Sequence, residues 1–220
     1  LKPGRPYLLE TVVRTLGVGH EMTQGTADSN ELWLDVTVTS GDRIIGRSGA
    51  LDSRRDVDPW AYYLNAYLLD REGNRIERRN AQDIFVTLYN HQIPPGAAAV
   101  VHYALTIPAD VTDSITVETR LQYRKFDTRF LNHIEGDSFN GNELPITTLA
   151  MDRVSIPVGD RAGVASQTRS IPDWERWNDY GIALLRQGNS GANKGELRQA
   201  SAAFEQVEAL GHADGALNLA

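Results

Sequence analysis

The 220-residue chain contains no cysteine. That absence excludes disulfide cross-links, cysteine zinc sites, thiol nucleophiles and C-x-x-C-H attachment of c-type haem within this chain. It leaves the compartment open, because cytosolic and periplasmic domains alike can lack cysteine. No apolar run approaches the roughly 18 to 20 residues needed for a membrane-crossing helix. Basic residues gather only in pairs such as Arg54-Arg55 and Arg78-Arg79, and the formal net charge is −7, which argues against nucleic acid as a partner. Nucleophile-elbow and Walker-type glycine motifs are missing, and no two histidines stand at zinc-ligand spacing.

What is present suffices for a substantial core, since 41% of the residues are hydrophobic. From Tyr7 to about Val158 the apolar positions recur with period two. In "SITVETRLQY", Ile115, Val117, Leu121 and Tyr123 alternate with Thr116, Glu118, Arg120 and Gln122, the pattern of a strand with one wet face. "ELWLDVTV" places Leu32, Leu34, Val36 and Val38 on one side, and "AVVHYALTIP" does the same with Val101, Tyr103, Leu105 and Ile107. Further strand-like runs are "PYLLETVVRTL", "WAYYLNAYLLD", "DIFVTLYN" and "LPITTLAMDRVSIPV". Turn chemistry separates them at Gly41-Asp42, "DREGN" and "IPPGA". Seven or eight short strands so spaced predict a mainly β fold, an antiparallel β-sandwich of immunoglobulin or fibronectin III type, over residues 1–158. "DTRFLNHIEGD" predicts a helical turn between strands.

The composition changes at "GDRAGVASQTRSIP", residues 159–172, which reads as a linker. Beyond it the period is helical over 173–220. "DWERWNDYGIALLRQG" opens on Asp173, a suitable N-cap, and meets Gly188 as an expected stop. "KGELRQASAAFEQVEALG" repeats Leu197, Ala200, Phe204, Val207 and Leu210 at spacings of three and four, with Gly211 as C-cap. The hairpin resembles one tetratricopeptide repeat, with Gly181, Ala183 and Leu184 as the small-residue seat and Ala200 with Phe204 as the A-x-x-x-F element. "NSGANKGE" lengthens its turn beyond the usual unit. Because one repeat cannot bury its own apolar face, and the chain opens on Leu1 and closes on the helical run "GALNLA", it is expected to be a piece of a longer polypeptide.

The order "VGHEMTQGTADSNELWLDV", "GALDSRRDVDPWAYYL", "IPPGAAAVVHYALTIP", "LQYRKF", "LPITTLAMDRVSIPV" and the helical tail resembles bacterial multihaem c-type cytochromes with C-terminal tetratricopeptide repeats. The resemblance covers nearly the whole chain and implies its β-rich and first-repeat portions. It implies a periplasmic or secreted parent that carries haem c, with none held covalently here. This segment would then be a non-catalytic accessory to electron transfer, its sandwich on the haem-bearing region and its repeats on a protein partner.

"VGHEMTQGT" is similar to a G-H-x-F-P-x-G-T pattern of such cytochromes, with Met22 and Thr23 in place of Phe and Pro. The resemblance makes His20 a candidate axial ligand and Met22 an alternative soft one, with Gly19 and Gly25 letting the loop approach a flat macrocycle. Against this stands a loop histidine that merely bonds backbone. Asp28, Asn30 and Glu31, with Asp52, Asp56 and Asp58, are oxygen donors suited to calcium, although no EF-hand spacing supports them and loop-capping is the plainer role. His102 is expected to be structural, and His91, His133 and His212 lie at strand ends or in surface segments. Two other functions stay open. Trp60, Tyr62, Tyr63 and Tyr67 would line a carbohydrate-binding or adhesion face. A hydrolase would need carboxylates that converge only in three dimensions, in a pocket where their pKa values are perturbed.

Overall fold

The computed structural model describes residues 1–23, 25–159, 171–189 and 195–220. It is mainly antiparallel β-structure followed by packed C-terminal helices. In chain order the strands are β1 (Pro6–Arg14), β2 (Glu31–Ser40), β3 (Arg43–Ser48), β4 (Ala66–Leu69), β5 (Val86–Asn90), β6 (Ala98–Thr106) and β7 (Ser114–Arg124). Helix α1 (Thr128–Glu135) and strand β8 (Ile146–Pro157) follow, then α2 (Asp173–Asn189), α3 (Gly195–Ala209) and α4 (Ala213–Leu219). The strands pair as one four-stranded sheet, β3-β2-β7-β8, and two ribbons, β1-β6 and β4-β5. The helix expected in "DTRFLNHIEGD" is α1. "WAYYLNAYLLD" forms a strand only in its second half; Trp60 to Asn65 instead run as a loop that meets β2 in a single bridge, Trp33 to Tyr63. Most of the expected linker (160–170) and the lengthened helical turn (190–194) lie outside the described residues. No described helix is long and apolar enough to cross a membrane.

The chain forms two compact units that interleave in sequence: residues 1–7, 23–92 and 104–167 in one, and residues 8–22, 93–103 and 168–220 in the other. In the first unit, β2 and β7 lie antiparallel with Glu31 opposite Arg124, Trp33 opposite Gln122 and Leu34 opposite Leu121. Leu32, Leu34, Val36 and Val38 are buried, as are Ile115, Val117 and Leu121, so the period-two stripes meet on one face as their spacing requires. The opposite face is wet only along part of its length. At the Glu31 end it is covered by a second small core of Trp33, Val57 and Ala61, with Tyr63 and Ile146 packed against it. The Trp33 indole N–H donates to the carbonyl of Gly49 at 3.1 Å. Gly49 adopts φ +77°, and a Cβ there would fall 2.2 Å from the Leu34 carbonyl oxygen, so only glycine fits under the indole.

In the second unit the β1-β6 ribbon packs on the helices. Ala98 and Val100 join Ala183, Leu184, Ala200 and Phe204 in one buried cluster. Arg186 and Gln187, at the end of α2, donate to the carbonyls of Ala98 (2.9 Å) and Val100 (2.7 Å), satisfying strand acceptors that a helix cannot otherwise pair. Glu10 accepts the Tyr180 hydroxyl at 2.9 Å and lies 2.9 Å from Nε2 of His102, so the histidine has the structural role expected of it. Arg14 forms ion pairs with Glu175 and Asp179.

The helices nest as the repeat-like sequence predicts. A Cβ at Gly181 would fall 2.5–2.9 Å from three ring atoms of Phe204, and one at Gly215 would lie 2.4 Å from the Glu208 backbone nitrogen. Gly188 does not end α2, which runs on to Asn189. Its missing side chain instead admits Leu197, whose Cδ2 a Cβ would meet at 2.7 Å. Gly211, at φ +80°, closes α3 as expected, with its N–H on Glu208 and the His212 N–H on Val207, the paired bonds of a Schellman turn. Gly181→Ala gains about 1 kcal/mol of helix propensity, but overpacking against Phe204 costs about 1–3 kcal/mol. The variant is expected to unfold at lower denaturant than the parent, and Gly181→Ala with Phe204→Leu should recover part of the loss; an unshifted midpoint would show that the helices do not nest this way.

Candidate functional site

At the covered end of the four-stranded sheet sits a guanidinium with no solvent exposure, that of Arg124. A cation so placed must be paired and fully bonded. Its Nε donates to Glu31 Oε2 at 2.8 Å and its Nη2 bonds the same oxygen. Nη1 donates to the carbonyls of Arg55 (2.8 Å) and Asn142 (3.3 Å). Both acceptors are held in place by unusual backbone. Arg55 lies in the left-handed region at φ +63°, and Gly141, at φ +116°, would drive a Cβ to 2.9 Å from the Arg54 carbonyl. Asn142 is itself anchored, donating from Nδ2 to the Phe126 carbonyl at 3.0 Å. The Glu31–Arg124 pair therefore clamps the ends of β2 and β7 to the loops at 52–56 and 139–145.

In front of Glu31 opens a cavity of about 390 Å³, lined by residues of the first unit alone. Asn30, Glu31 and Asn65 form its buried wall. Asp56, Asp127, Thr128 and Arg129 rim it at the start of α1, and Tyr63, Tyr67 and Tyr89 with Arg75 supply aromatic and cationic faces. Asp127 caps α1: Oδ1 accepts the Phe130 N–H at 2.7 Å, while Oδ2 pairs with Arg75 Nη2 at 3.2 Å. Asp56 accepts the Thr128 hydroxyl at 2.7 Å. Arg75 lies over the Tyr67 ring, 5.0 Å from its centroid.

Burial sets the ionisation of this cleft. Desolvation raises the Glu31 pKa to about 7; the Arg124 charge and its hydrogen bonds oppose the rise, while Asp127 and Asp56 add to it. Burial also raises the Asp127 carboxyl, against the Phe130 N–H and Arg75, and pushes the Tyr63 phenol well above the usual tyrosine range. Polar acceptors are left over. The Oδ1 atoms of Asn30 and Asn65 are buried without a hydrogen-bond partner among the described residues. Arg124 uses only Oε2 of Glu31, and Oε1 has no hydrogen-bond partner among the described residues. The cleft is thus short of donors, and its carboxylates are engaged in structure: Asp127 by a helix cap and Arg75, Glu31 by Arg124. Such an arrangement is suited to holding a donor-rich ligand.

The residues singled out in the sequence fall in several places. His20 is exposed, with Nδ1 2.9 Å from the carbonyl of Glu21. Met22 is half-buried and exchanges backbone hydrogen bonds with Ile93 (2.9 and 2.8 Å). Asn30 and Glu31 share the cleft wall, but Asp28 turns away and accepts the Arg79 N–H at 2.9 Å. Asp52 and Asp58 bond backbone N–H groups of their own turns, Asp52 those of Arg54 and Asp56, Asp58 those of Gly49 and Trp60. Among the described residues no group of three or more histidine and acidic side chains is placed to hold a metal ion. Tyr63 and Tyr67 line the cleft. Tyr62 stacks on His91 (4.8 Å between centroids), which in turn stacks on Tyr89 (4.5 Å), and burial lowers the His91 pKa so that the ring is held neutral. Trp60, in contrast, is 90% exposed. His212 stacks on Trp174 at 3.6 Å and its ring accepts the Asp214 N–H at the start of α4, a capping role that its surface setting concealed.

Arg124, Asn65, Asp127, Arg75 and Tyr89 were not marked by any motif. One signal was available for Arg124: it stands in phase with Gln122 on the supposedly wet side of β7, directly opposite the Glu31 that opens β2.

No protein-family model and no curated protein matches the chain. Among solved structures it is similar to a penta-heme cytochrome c552 from Thermochromatium tepidum, at 18% identity and a TM-score of 0.47, over 68% of this chain. The chain spans 36% of the length of that cytochrome.

Because Glu31 is raised in the folded state, the folded chain binds a proton more tightly than the unfolded one between the ordinary carboxyl value of 4.5 and about 7. The resulting stabilisation is full below 4.5 and is lost as pH rises through 7, with a slope of up to about 1.4 kcal/mol per pH unit. In Glu31→Gln that slope is expected to disappear from the difference between the two unfolding curves over pH 5–8; a constant difference would mean that Glu31 does not titrate there.

Proposed function

We propose that this chain is a non-catalytic docking segment of a multihaem c-type cytochrome, in which the β-rich unit packs on the haem-bearing region and the helical unit binds a protein partner. The observation that carries the reading is the nesting of α2, α3 and α4 on glycines. The Phe204 ring fills the seat of Gly181, and α4 approaches the α3 backbone through Gly215, so a third helix is stacked on the first hairpin as in a repeat array. Arrays of this kind present extended surfaces to proteins. The motif order "VGHEMTQGT" through the helical tail supports the cytochrome setting, and with it a periplasmic or secreted location.

The chain has no cysteine and so makes no thioether bond to haem. His20 fits the role of an axial ligand to a haem carried elsewhere in the polypeptide. Its ring is exposed, and with Nδ1 donating to the Glu21 carbonyl the tautomer leaves the Nε2 lone pair for iron. Met22, tied by its backbone to Ile93, is the alternative ligand. A haem there supplies electron transfer, and the protein's share is to position the ligand.

In the full-length protein, His20→Ala is expected to shift the spectrum or potential of one haem, and this chain is expected to sediment as a complex with the separately produced haem-bearing region. Unchanged haem properties together with no association, or a full reading frame without C-x-x-C-H, would overturn the proposal.

A further inference from the structure

We propose that the cleft in front of Glu31 is a binding site for an alkylammonium group, the chemistry of a small primary amine or a lysine side chain. The argument rests on unmatched hydrogen-bonding capacity. Three acceptors on one wall, Oδ1 of Asn30, Oδ1 of Asn65 and Oε1 of Glu31, have no donor among the described residues. Asn30 and Asn65 are 5% and 4% exposed, so bulk water does not satisfy them cheaply. A primary ammonium carries three donors and no acceptor, which is the complement of that wall.

The cations already in the cleft do not fill this need. Arg75 is engaged by Asp127 and lies over Tyr67, and Arg129 points to Glu77 at 3.3 Å with more than half its side chain in solvent. Asp56 is offset only by the Thr128 hydroxyl. The faces of Tyr63 and Tyr89 line the same space and favour a cation with a short apolar stem. A cavity of about 390 Å³ accommodates a chain of four to six heavy atoms, but not a folded segment.

An ammonium beside Glu31 favours its ionised form. The other charged groups that face this carboxyl, Arg124, Asp127 and Asp56, stay in place, so binding near pH 7 should release protons.

The test is calorimetric titration of the 220-residue chain with n-butylammonium chloride, n-butanol, methyl glucoside and an N-acetyl-lysine amide, in two buffers of different ionisation heat. The ammonium ion is expected to bind with proton release and at least about tenfold more tightly than n-butanol or the glucoside. Asp56→Asn, which keeps the side-chain shape, should weaken it by about tenfold. Tighter binding of the lysine amide than of n-butylammonium would point to a peptide as the source of the group. Equal or stronger binding of n-butanol or the glucoside, no binding of either amine, or an unaltered affinity in Asp56→Asn would overturn the proposal.

Discussion

Arg124 is a permanent cation with no access to solvent, and the first unit is arranged around that constraint. Removing a guanidinium from water costs several kcal/mol even after relaxation, so the fold must supply a counter-charge and acceptors for the remaining donors. Glu31 supplies the first from the directly opposed position on β2. The carbonyls of Arg55 and Asn142 supply the second, and each comes from a loop with positive-φ backbone at or beside it. Trp33 covers the group from the sheet, 5.9 Å from its ring. The strand ends, two loops and the small core of Trp33, Val57 and Ala61 are therefore a single assembly, and the cleft is the space left in front of its carboxylate.

The second unit solves a different problem with smaller means. Its helices approach closely because glycines stand where side chains would collide, at 181, 188 and 215. Its ribbon is attached by buried apolar contact and by polar side chains of α2 that reach the strand carbonyls. Nothing in it requires a buried charge. Arg14, its main cation, remains partly exposed and spreads its charge over Glu175 and Asp179. Pairs of that kind contribute little to stability, so the packing around Phe204 carries most of it.

The period-two runs were sufficient to place nearly every strand and the helix in "DTRFLNHIEGD", because alternation and turn residues are local properties of the chain. They were insufficient where a face that reads as wet is covered by a distant loop. Gln122 and Arg124 alternate with the apolar set of β7 and look solvent-facing, yet they are buried by a segment more than 60 residues away in sequence. "WAYYLN" carries strand-forming residues, but it is held as a loop by a single bridge to β2 and by Asp58 bonding its own turn. Glycines were read correctly where they end a helix, as at Gly211, and incompletely where they make room, as at Gly188. Of the cleft, Asn30, Glu31, Asp56, Tyr63 and Tyr67 stood out as polar or aromatic residues. Arg124, Asn65 and Asp127 became meaningful only when the topology brought them together.

The central claim is that Glu31 and Arg124 act as one unit. A double-mutant cycle of Glu31→Met, Arg124→Met and the double variant, followed by chemical denaturation, tests it most directly. The account predicts that each single change leaves an uncompensated buried group and costs about 3–5 kcal/mol. The double variant should lose clearly less than the sum, with a coupling of about 2 kcal/mol or more. Losses that simply add would contradict it, because they would mean that the two side chains stabilise the fold independently.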